Sequence, residues 1–373
     1  MKYWIMGIIV IGLVMYMLWR KFKKKDENIS NIAVFTLGST LIVDAGGNNF
    51  DWILKLIAII MNRDYALEIT QDFNIPYFIF GATLIVLSIV LTYYKKTNVK
   101  VLNINGYFKR NIEDYIKKSE DLRNDIREYE VNFVDIYQKI FKKSLDNESY
   151  ECIIEKIEED VNTFKNCSRE GKRGYTGIAP IPLIMYAGTF LEREKIDEYY
   201  EFDKKETNTY YKLKNKRFEI YPKLKIGQDI NSLDRNKKEI VIAISITAKI
   251  TDEQLEQFKE KCNIINIEVD NPSDNTIKSR KQLIDYTNTI FNIIQTIFEN
   301  FSKIESIHIV CSSQSCLALE IGKRSVDDTR LPQIISYQYE AQSDIKYPWG
   351  IRINGKNKGE LIVANRRYEL NNV

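Results

Sequence analysis

Glu239-Ile240-Val241-Ile242-Ala243-Ile244-Ser245-Ile246 is a continuous run of mostly β-branched apolar side chains. Such runs are typical of parallel strands that are buried on both faces. A second apolar run covers residues 304–310, and the stretch between the two, residues 275–301, has helical periodicity. A strand, a helix and a strand in this order predict an α/β fold with a parallel sheet.

Two stretches around this unit resemble each other. Each consists of a loop, a short helix that ends near a glycine, a strand rich in aromatic residues and an aromatic segment. The first has these parts at 179–183, 187–188, 199–203 and 210–211, and the second has them at 312–317, 321–322, 335–340 and 347–350. Self-similarity of this kind predicts two subdomains related by a pseudo-two-fold axis.

Composition narrows the possible functions. The chain has 373 residues, which suggests two or three units, and its net charge of +3 gives no support for DNA binding through bulk charge. The five cysteines lack CxxC spacing, a pattern typical of reduced thiols in the cytoplasm. The single histidine, His308, lies in an apolar run and is predicted to be a core residue. We therefore expect no Ser-His-Asp triad, no metal site and no enzyme activity.

The first hundred residues contain two runs without charge. Residues 3–19 precede a basic cluster at 20–25, and residues 75–94 precede Lys95 and Lys96. Both runs are predicted to span a membrane, and the basic cluster lies on the wrong side of the first run for a signal peptide. Because both basic clusters follow their runs, both segments would cross the membrane in the same direction. A third crossing, in the opposite direction, is therefore required between them. We place it near residues 30–48, with an interfacial helix at 52–61 and the cytoplasm from Lys95 onward.

Small residues on the second run either permit close helix contact or are ordinary lipid-facing residues; they are Gly81, Ala82 and Ser88. From about 107 to 166 the apolar residues recur at intervals of three and four, which favours helices. The predicted domains are therefore a transmembrane module at 1–97, a helical connector at 98–172 and an α/β domain at 173–373.

The α/β part resembles the SAVED domain, a fusion of two CARF-like, Rossmann-like subdomains. The residues that carry the resemblance are 177–183, 199–203, 307–310 with the following serine loop and Gly322, 335–340 and 347–349. The resemblance implies membership of a bacterial CBASS anti-phage system, in which SAVED domains sense a cyclic oligonucleotide made by a partner nucleotidyltransferase. The N-terminal part then resembles the transmembrane effector module of membrane-spanning SAVED proteins. The sequence departs from many relatives at 312–315, where they carry a proline.

Ligands of open α/β sheets bind beyond the carboxyl ends of the strands, where helix N-termini face anions. The loops 179–182, 245–249, 271–273 and 312–314 are predicted to lie there. They supply the candidate ligand-binding residues Pro180, Pro182, Thr247, Lys249, Ser312, Ser313 and Gln314. Helix capping alone would also explain Ser312 or Ser313.

Base recognition requires aromatic surfaces for stacking. The candidates are Tyr337, Tyr339, Tyr347 and Trp349, with Gln338 beside them, and each aromatic residue has a core position as the alternative. Arg173, Arg280 and Lys281 are further candidates for contacting phosphates, or lie on a solvated surface.

The expected function is that of a multi-pass protein of the bacterial inner membrane with a cytoplasmic C-terminal domain. It is expected to bind a cyclic di- or trinucleotide, without any other cofactor, and to form a homo-oligomer that disrupts the membrane. One alternative is a membrane-tethered nuclease that degrades a cyclic nucleotide. The other is a membrane scaffold that has no ligand.

Overall fold

A computed structural model of the chain describes residues 28–45, 75–93, 97–112, 124–169, 171–215, 220–301, 303–328 and 330–364. The chain divides into two compact units, residues 1–96 and 97–373, and each is treated by itself. The sequence segments 3–19, 20–25 and 52–61, for which we predicted a span, a basic flank and an interfacial helix, lie outside the described residues.

The described part of the N-terminal unit is a pair of helices, α1 (Asn28–Ala45) and α2 (Ile75–Tyr93), which pack against each other. Gly38 and Gly81 lie at their contact, where a Cβ on Gly81 would come within 2.7 Å of the Gly38 carbonyl oxygen. Ser88 is also buried. Among the described residues, no helix combines the length and the apolar character that crossing a bilayer requires.

The first subdomain of the second unit is a five-stranded sheet in the order β2-β1-β3-β4-β5. Its first four strands are parallel to their neighbours and β5 is antiparallel to β4. The strands are β1 (Thr97–Asn105), β2 (Asn124–Asn132), β3 (Lys172–Ile178), β4 (Glu198–Asp203) and β5 (Thr209–Lys212). The helices are α3 (residues 134–144, with a π-helical turn at Tyr137–Phe141), α4 (Asn147–Cys167) and α5 (Ile181–Thr189).

The second subdomain is a seven-stranded sheet in the order β12-β11-β10-β9-β7-β8-β6. Its strands are β6 (Lys225–Ile226), β7 (Glu239–Ser245), β8 (Cys262–Glu268), β9 (Ser306–Ser312), β10 (Gln333–Gln338), β11 (Trp349–Arg352) and β12 (Leu361–Val363). Its helices are α6 (Arg280–Asn300) and α7 (Ser315–Ser325), with 3-10 turns at Ile230–Ser232 and Glu256–Phe258. The predicted parallel pairing of β7 and β9 is confirmed.

The two subdomains share one strand order, because β2-β1-β3-β4-β5 corresponds to β8-β7-β9-β10-β11. The 21-residue helices α4 and α6 occupy matching places between the second and third strands. The helices α5 and α7 pack against each other through their eighth residues, Gly188 and Gly322. A Cβ on Gly188 would meet the Leu319 carbonyl oxygen, and one on Gly322 would meet that of Met185. This reciprocal contact lies at the centre of the predicted pseudo-two-fold pair.

The region for which we predicted a helical connector, residues 98–172, is instead part of the first subdomain. It contains the helix α4, but β1 and β2 are strands. Polar residues of these strands pair with one another, since Asn103 Nδ2 donates to Glu128 Oε1 at 2.6 Å and Asn105 Nδ2 donates to Glu130 Oε1 at 2.9 Å. The polar pattern that suggested solvated helices thus comes from pairs between neighbouring strands.

Candidate functional site

The carboxyl ends of the strands bring together loops from both subdomains. We call the site formed by residues 106–107, 179–180, 246–249, 312–314 and 338–340 the carboxyl-edge site. Two hydrogen bonds join the subdomains near it: Gln314 Nε2 donates to the Tyr211 hydroxyl at 2.6 Å, and Gln338 Nε2 donates to the Tyr107 hydroxyl at 3.1 Å. Such a junction of two sheets is where α/β folds bind ligands.

Two of the predicted residues, Thr247 and Ser312, contact each other. The Thr247 and Ser312 hydroxyl oxygens are 2.9 Å apart, and the Ala248 amide donates to Ser312 Oγ at 3.1 Å. The Ser312 carbonyl also accepts from the amides of Ile246 and Thr247. Ser312 therefore fixes the loop after β7 against the loop after β9, and both Thr247 and Ser312 are half-buried.

Ser313 and Lys249 lie at the surface of the carboxyl-edge site. Ser313 is half-buried, and its hydroxyl accepts from the Cys311 thiol at 3.0 Å. The Lys249 side chain is 69% exposed, and its Nζ lies 3.8 Å from Glu268 Oε2. Because this ion pair is long and solvated, it costs little to exchange it for a ligand phosphate.

Gln314 has a structural role. Its side-chain amide donates to Tyr211 and, at 3.0 Å, to the Ile277 carbonyl, while its Oε1 accepts from the Ile277 amide at 2.5 Å. All three bonds are to protein groups and the residue is buried. The predicted ligand contact by Gln314 would require breaking bonds that hold β5 and the start of α6 in place.

The N-terminus of α7 is occupied by a carboxylate from the other subdomain. Glu201 Oε1 of β4 accepts from Ser315 Oγ at 2.9 Å and from the Cys316 amide at 2.6 Å. Burial raises the pKa of Glu201 above its ordinary value, although these hydrogen bonds act in the opposite direction. Glu201 thus takes the place that an anion would take at this helix terminus.

The matching position in the other half differs. Glu201 is the fourth residue of β4, and Ser336 is the fourth residue of β10. Ser336 is fully buried, on the face of β10 against which α5 packs, and its hydroxyl has no hydrogen-bond partner among the described residues. The first turn of α5, which begins after Pro180 and contains Pro182, has no acidic residue and no capping side chain. The carboxyl-edge site is therefore asymmetric.

Gln338 completes this side of the site. It lies at the carboxyl end of β10, two residues after Ser336, and its Oε1 is buried without a partner among the described residues. Its amide nitrogen donates to Tyr107, which is half-buried. Burial raises the pKa of the Tyr107 hydroxyl, so that hydroxyl stays protonated. Sequence analysis missed Tyr107 because it follows β1, a strand that the helical interpretation concealed.

Of the predicted aromatic residues, only Tyr339 is exposed, at 38%, and its hydroxyl accepts from Gln254 Nε2 at 3.1 Å. Trp349 is 1% exposed and packs edge-on against Phe141 with ring centroids 5.1 Å apart. The buried Tyr337 hydroxyl lies 3.1 Å from His308 Nδ1, and Tyr347 is buried as well. Tyr337, Tyr347 and Trp349 thus occupy core positions, which were the alternative for these residues, and a ligand contact by any of them stays a prediction.

The two arginines that were predicted to contact phosphates lie away from the carboxyl-edge site. Arg173 stands at the amino end of β3, where it forms an ion pair with Glu194 and donates to Ser168 Oγ at 2.7 Å. Arg280 lines a separate cleft of about 470 Å³ whose other basic residues include Lys172 and Lys212. Lys281 is exposed on α6.

A family model described as "SMODS-associated and fused to various effectors sensor domain" (SAVED) matches residues 157–353. No curated protein matches the chain. Among solved structures, the Cap4 SAVED/CARF-domain containing receptor of Acinetobacter baumannii with the cyclic trinucleotide 2'3'3'-cAAA is similar at 12% identity and a TM-score of 0.46, over 74% of this chain and 56% of that chain.

The same receptor with 3'3'3'-cAAA is similar at 10% identity and a TM-score of 0.43, over 86% of this chain and 77% of that one. The corresponding Moraxella osloensis receptor is similar at 11% identity and a TM-score of 0.41, over 73% and 53%. This chain thus spans little more than half the length of the first of these receptors. The family match covers more than half of the 373 residues, and the chain therefore belongs to the SAVED sensor-domain family.

Proposed function

We propose that this chain is a receptor-effector of a CBASS anti-phage system that binds a cyclic oligonucleotide at the carboxyl-edge site. Binding drives the chain to form a homo-oligomer, and its N-terminal helices then disrupt the bacterial inner membrane. The proposal assigns the chain no catalytic step and no cofactor besides the ligand. The observation that carries it is the junction of two matched subdomains, in a SAVED chain, at a polar carboxyl edge.

The chemistry of the site suits a nucleotide. The hydroxyls of the half-buried residues Thr247 and Ser312 donate to phosphate oxygens, and Lys249 supplies a positive charge beside them. The exposed ring of Tyr339 offers a stacking surface for a base. Glu201 fills the N-terminus of α7, and among the described residues no carboxylate fills that of α5, which favours binding of the ring closer to α5 than to α7.

The effector step is proposed for the helix pair α1 and α2. Hydroxyl groups on these helices bond within their own helix: Ser39 Oγ donates to the Phe35 carbonyl at 3.0 Å, and Thr83 Oγ1 donates to the Ile79 carbonyl at 2.8 Å. The outward side chains of Ile79 and Val86 are apolar and exposed. Exposed apolar surface of this kind favours a lipid or protein neighbour. Attachment to the membrane, with the second unit in the cytoplasm, rests on the charge-free runs in the sequence.

The test is a binding panel of cyclic di- and trinucleotides with the purified full-length chain in detergent. We expect one member to bind and Tyr339→Ala to weaken its binding roughly 5- to 150-fold, the range for loss of one base stack. The matched control is Phe298→Ala, which removes an aromatic ring of similar exposure near the end of α6. No binding across the panel would overturn the receptor function, and equal effects of both variants would remove Tyr339 from the site.

Three further measurements test the separate steps of the proposed function. Light scattering should rise with the ligand that binds, and unchanged scattering at saturation would exclude ligand-driven assembly. Chromatography of the ligand after incubation should recover it intact, since recovered hydrolysis products would indicate a nuclease. Fractionation of cells should place the intact chain with the membrane, and recovery in the soluble fraction without detergent would overturn the membrane step.

A further inference from the structure

Three side chains that the proposed function does not use converge at the amino end of the second sheet. Their donor atoms, a carboxylate oxygen of Glu239, the Cys262 sulfur and a ring nitrogen of His308, all lie within 4.8 Å of one another. His308 Nε2 is 3.3 Å from Glu239 Oε2, and Cys262 Sγ is 3.6 Å from the same oxygen. Cys262 and His308 are buried, while the Glu239 side chain is 41% exposed.

The strand register produces this cluster. Glu239 and Cys262 are the first residues of β7 and β8 and are paired across these strands. On its other side Glu239 is paired with Ser306, the first residue of β9, and His308 follows two positions later on the same face. Three neighbouring strands thus hold one donor each, so the positions of the donors are set by the sheet and not by a loop.

The distances match a tetrahedral zinc site. Zinc binds nitrogen and carboxylate oxygen at about 2.1 Å and sulfur at about 2.3 Å, so tetrahedral geometry separates N and O by about 3.4 Å and S and O by about 3.6 Å. The observed separations are 3.3 and 3.6 Å. A thiolate and a carboxylate together neutralise a divalent ion, which makes the complex compatible with burial. On binding, the thiol proton leaves to solvent as the S–metal bond forms.

Neighbouring groups orient the ligands. His308 Nδ1 lies 3.1 Å from the Tyr337 hydroxyl, which leaves Nε2 to face Glu239, and Ser306 Oγ is 3.2 Å from that nitrogen. Tyr337 is itself held edge-on by Phe258, with ring centroids 5.3 Å apart. A partner on the second ring nitrogen is the usual arrangement for histidines that bind metals.

We propose that Glu239, Cys262 and His308 bind one divalent transition-metal ion, with zinc the best fit, at the end of the sheet opposite the carboxyl-edge site. The ion ties together β7, β8 and β9 and leaves a fourth coordination position beside Ser306. No sequence motif marks this site, because each ligand comes from a different strand and the three residues have no motif spacing.

The probe is Co²⁺, added to the full-length chain after treatment with a chelator, because a thiolate bound to Co²⁺ has a charge-transfer band in the near ultraviolet. We expect one equivalent to bind, Cys262→Ser to abolish the band, and Glu239→Gln to weaken binding at least about 100-fold. The control variants are Cys152→Ser and Cys167→Ser, which remove exposed thiols and should keep the band. Zn²⁺ should raise the melting temperature of the wild type but not of Glu239→Gln.

Tyr337→Phe tests the positioning role and should weaken Co²⁺ binding about 10- to 100-fold. Far-UV circular dichroism establishes that each variant is folded before titration, and Glu239→Gln keeps the shape of a half-exposed side chain. Two results would overturn the site: no stoichiometric metal bound by the folded wild type, or a band that persists in Cys262→Ser and disappears in a control variant.

Discussion

Replacing Gly322 with alanine would place a methyl group at the contact between α5 and α7. The added Cβ would lie 1.9 Å from the Met185 carbonyl oxygen and 2.6 Å from its carbonyl carbon. Real Cβ atoms essentially never approach a heavy atom closer than 3.0 Å, so the two helices must separate by at least 3.0 − 1.9 = 1.1 Å. The obstructing atoms belong to backbone, and no change of rotamer relieves the clash.

Two opposing effects set the size of the loss. Overpacking of a core costs about 1 to 3 kcal/mol, and a clash with backbone belongs at the upper end of that range. Alanine is better than glycine inside a helix by about 1 kcal/mol. We therefore expect Gly322→Ala to lower the free energy of unfolding by about 2 kcal/mol or more. For Gly188→Ala the Cβ would lie 2.4 Å from the Leu319 carbonyl oxygen, and we expect about 1 kcal/mol.

The assay is a urea titration of the full-length chain followed by far-UV circular dichroism. Gly227→Ala is the matched control, because its Cβ would come no closer than 3.3 Å to Asn266 and its φ is not positive. It should leave stability unchanged or raise it by up to about 1 kcal/mol. The loss in free energy of unfolding should be largest for Gly322→Ala, smaller for Gly188→Ala and absent for Gly227→Ala. A Gly322→Ala variant as stable as the wild type would refute the tight contact between α5 and α7.

Glu201→Gln should raise the free energy of unfolding at pH 7. The pKa of Glu201 in the folded protein lies above its ordinary value of 4.5, so the contribution of this carboxyl group to stability is lost as the pH rises through the folded pKa. Glutamine stays neutral and avoids that loss. The gain should shrink toward pH 4, and a gain independent of pH would contradict it. Trp349→Ala should cost about 3 to 5 kcal/mol of folding stability and leave the affinity of folded protein for its ligand unchanged, as titration calorimetry can establish. Gly81→Leu should abolish the rise in light scattering with ligand but not ligand binding, because its Cβ would lie 2.7 Å from the Gly38 carbonyl oxygen and force α1 and α2 apart. The control variant Ala82→Leu should retain both the scattering response and ligand binding.

The central elements could be predicted from sequence because their burial is complete. β7 and β9 are buried on both faces, so the apolar run at 239–246 and the one at 304–310 were recognisable without any partner. β2 could not be recognised as a strand, because it is an edge strand whose Glu128 and Glu130 accept hydrogen bonds from asparagines of β1. Pairing between strands 25 residues apart leaves no local periodicity, and the spaced apolar residues then resemble a helix.

The candidate site was predictable in position but not in composition. The rule that ligands bind beyond carboxyl ends placed Thr247, Ser312 and Lys249 correctly at the edge of the sheet. It could not separate the exposed Tyr339 from the buried Trp349, because exposure depends on α3, whose Phe141 covers the indole ring. The structural bonds of Gln314 could not be predicted for a similar reason, since its partners Tyr211 and Ile277 come from distant parts of the chain.

β1 links the two parts of the proposed function along the chain. It begins at Thr97, the first residue after the N-terminal unit, and its last residue precedes Gly106 and Tyr107 of the carboxyl-edge site. A strand of nine residues that is bonded to β2 on one side and β3 on the other cannot stretch, so it moves only with its sheet. A ligand drives assembly only by the difference in its affinity for the two states. The bond between Tyr107 and Gln338 joins that sheet to the second subdomain, so under the proposed function a ligand at the carboxyl-edge site promotes assembly only if it binds one arrangement of the two subdomains better than the other.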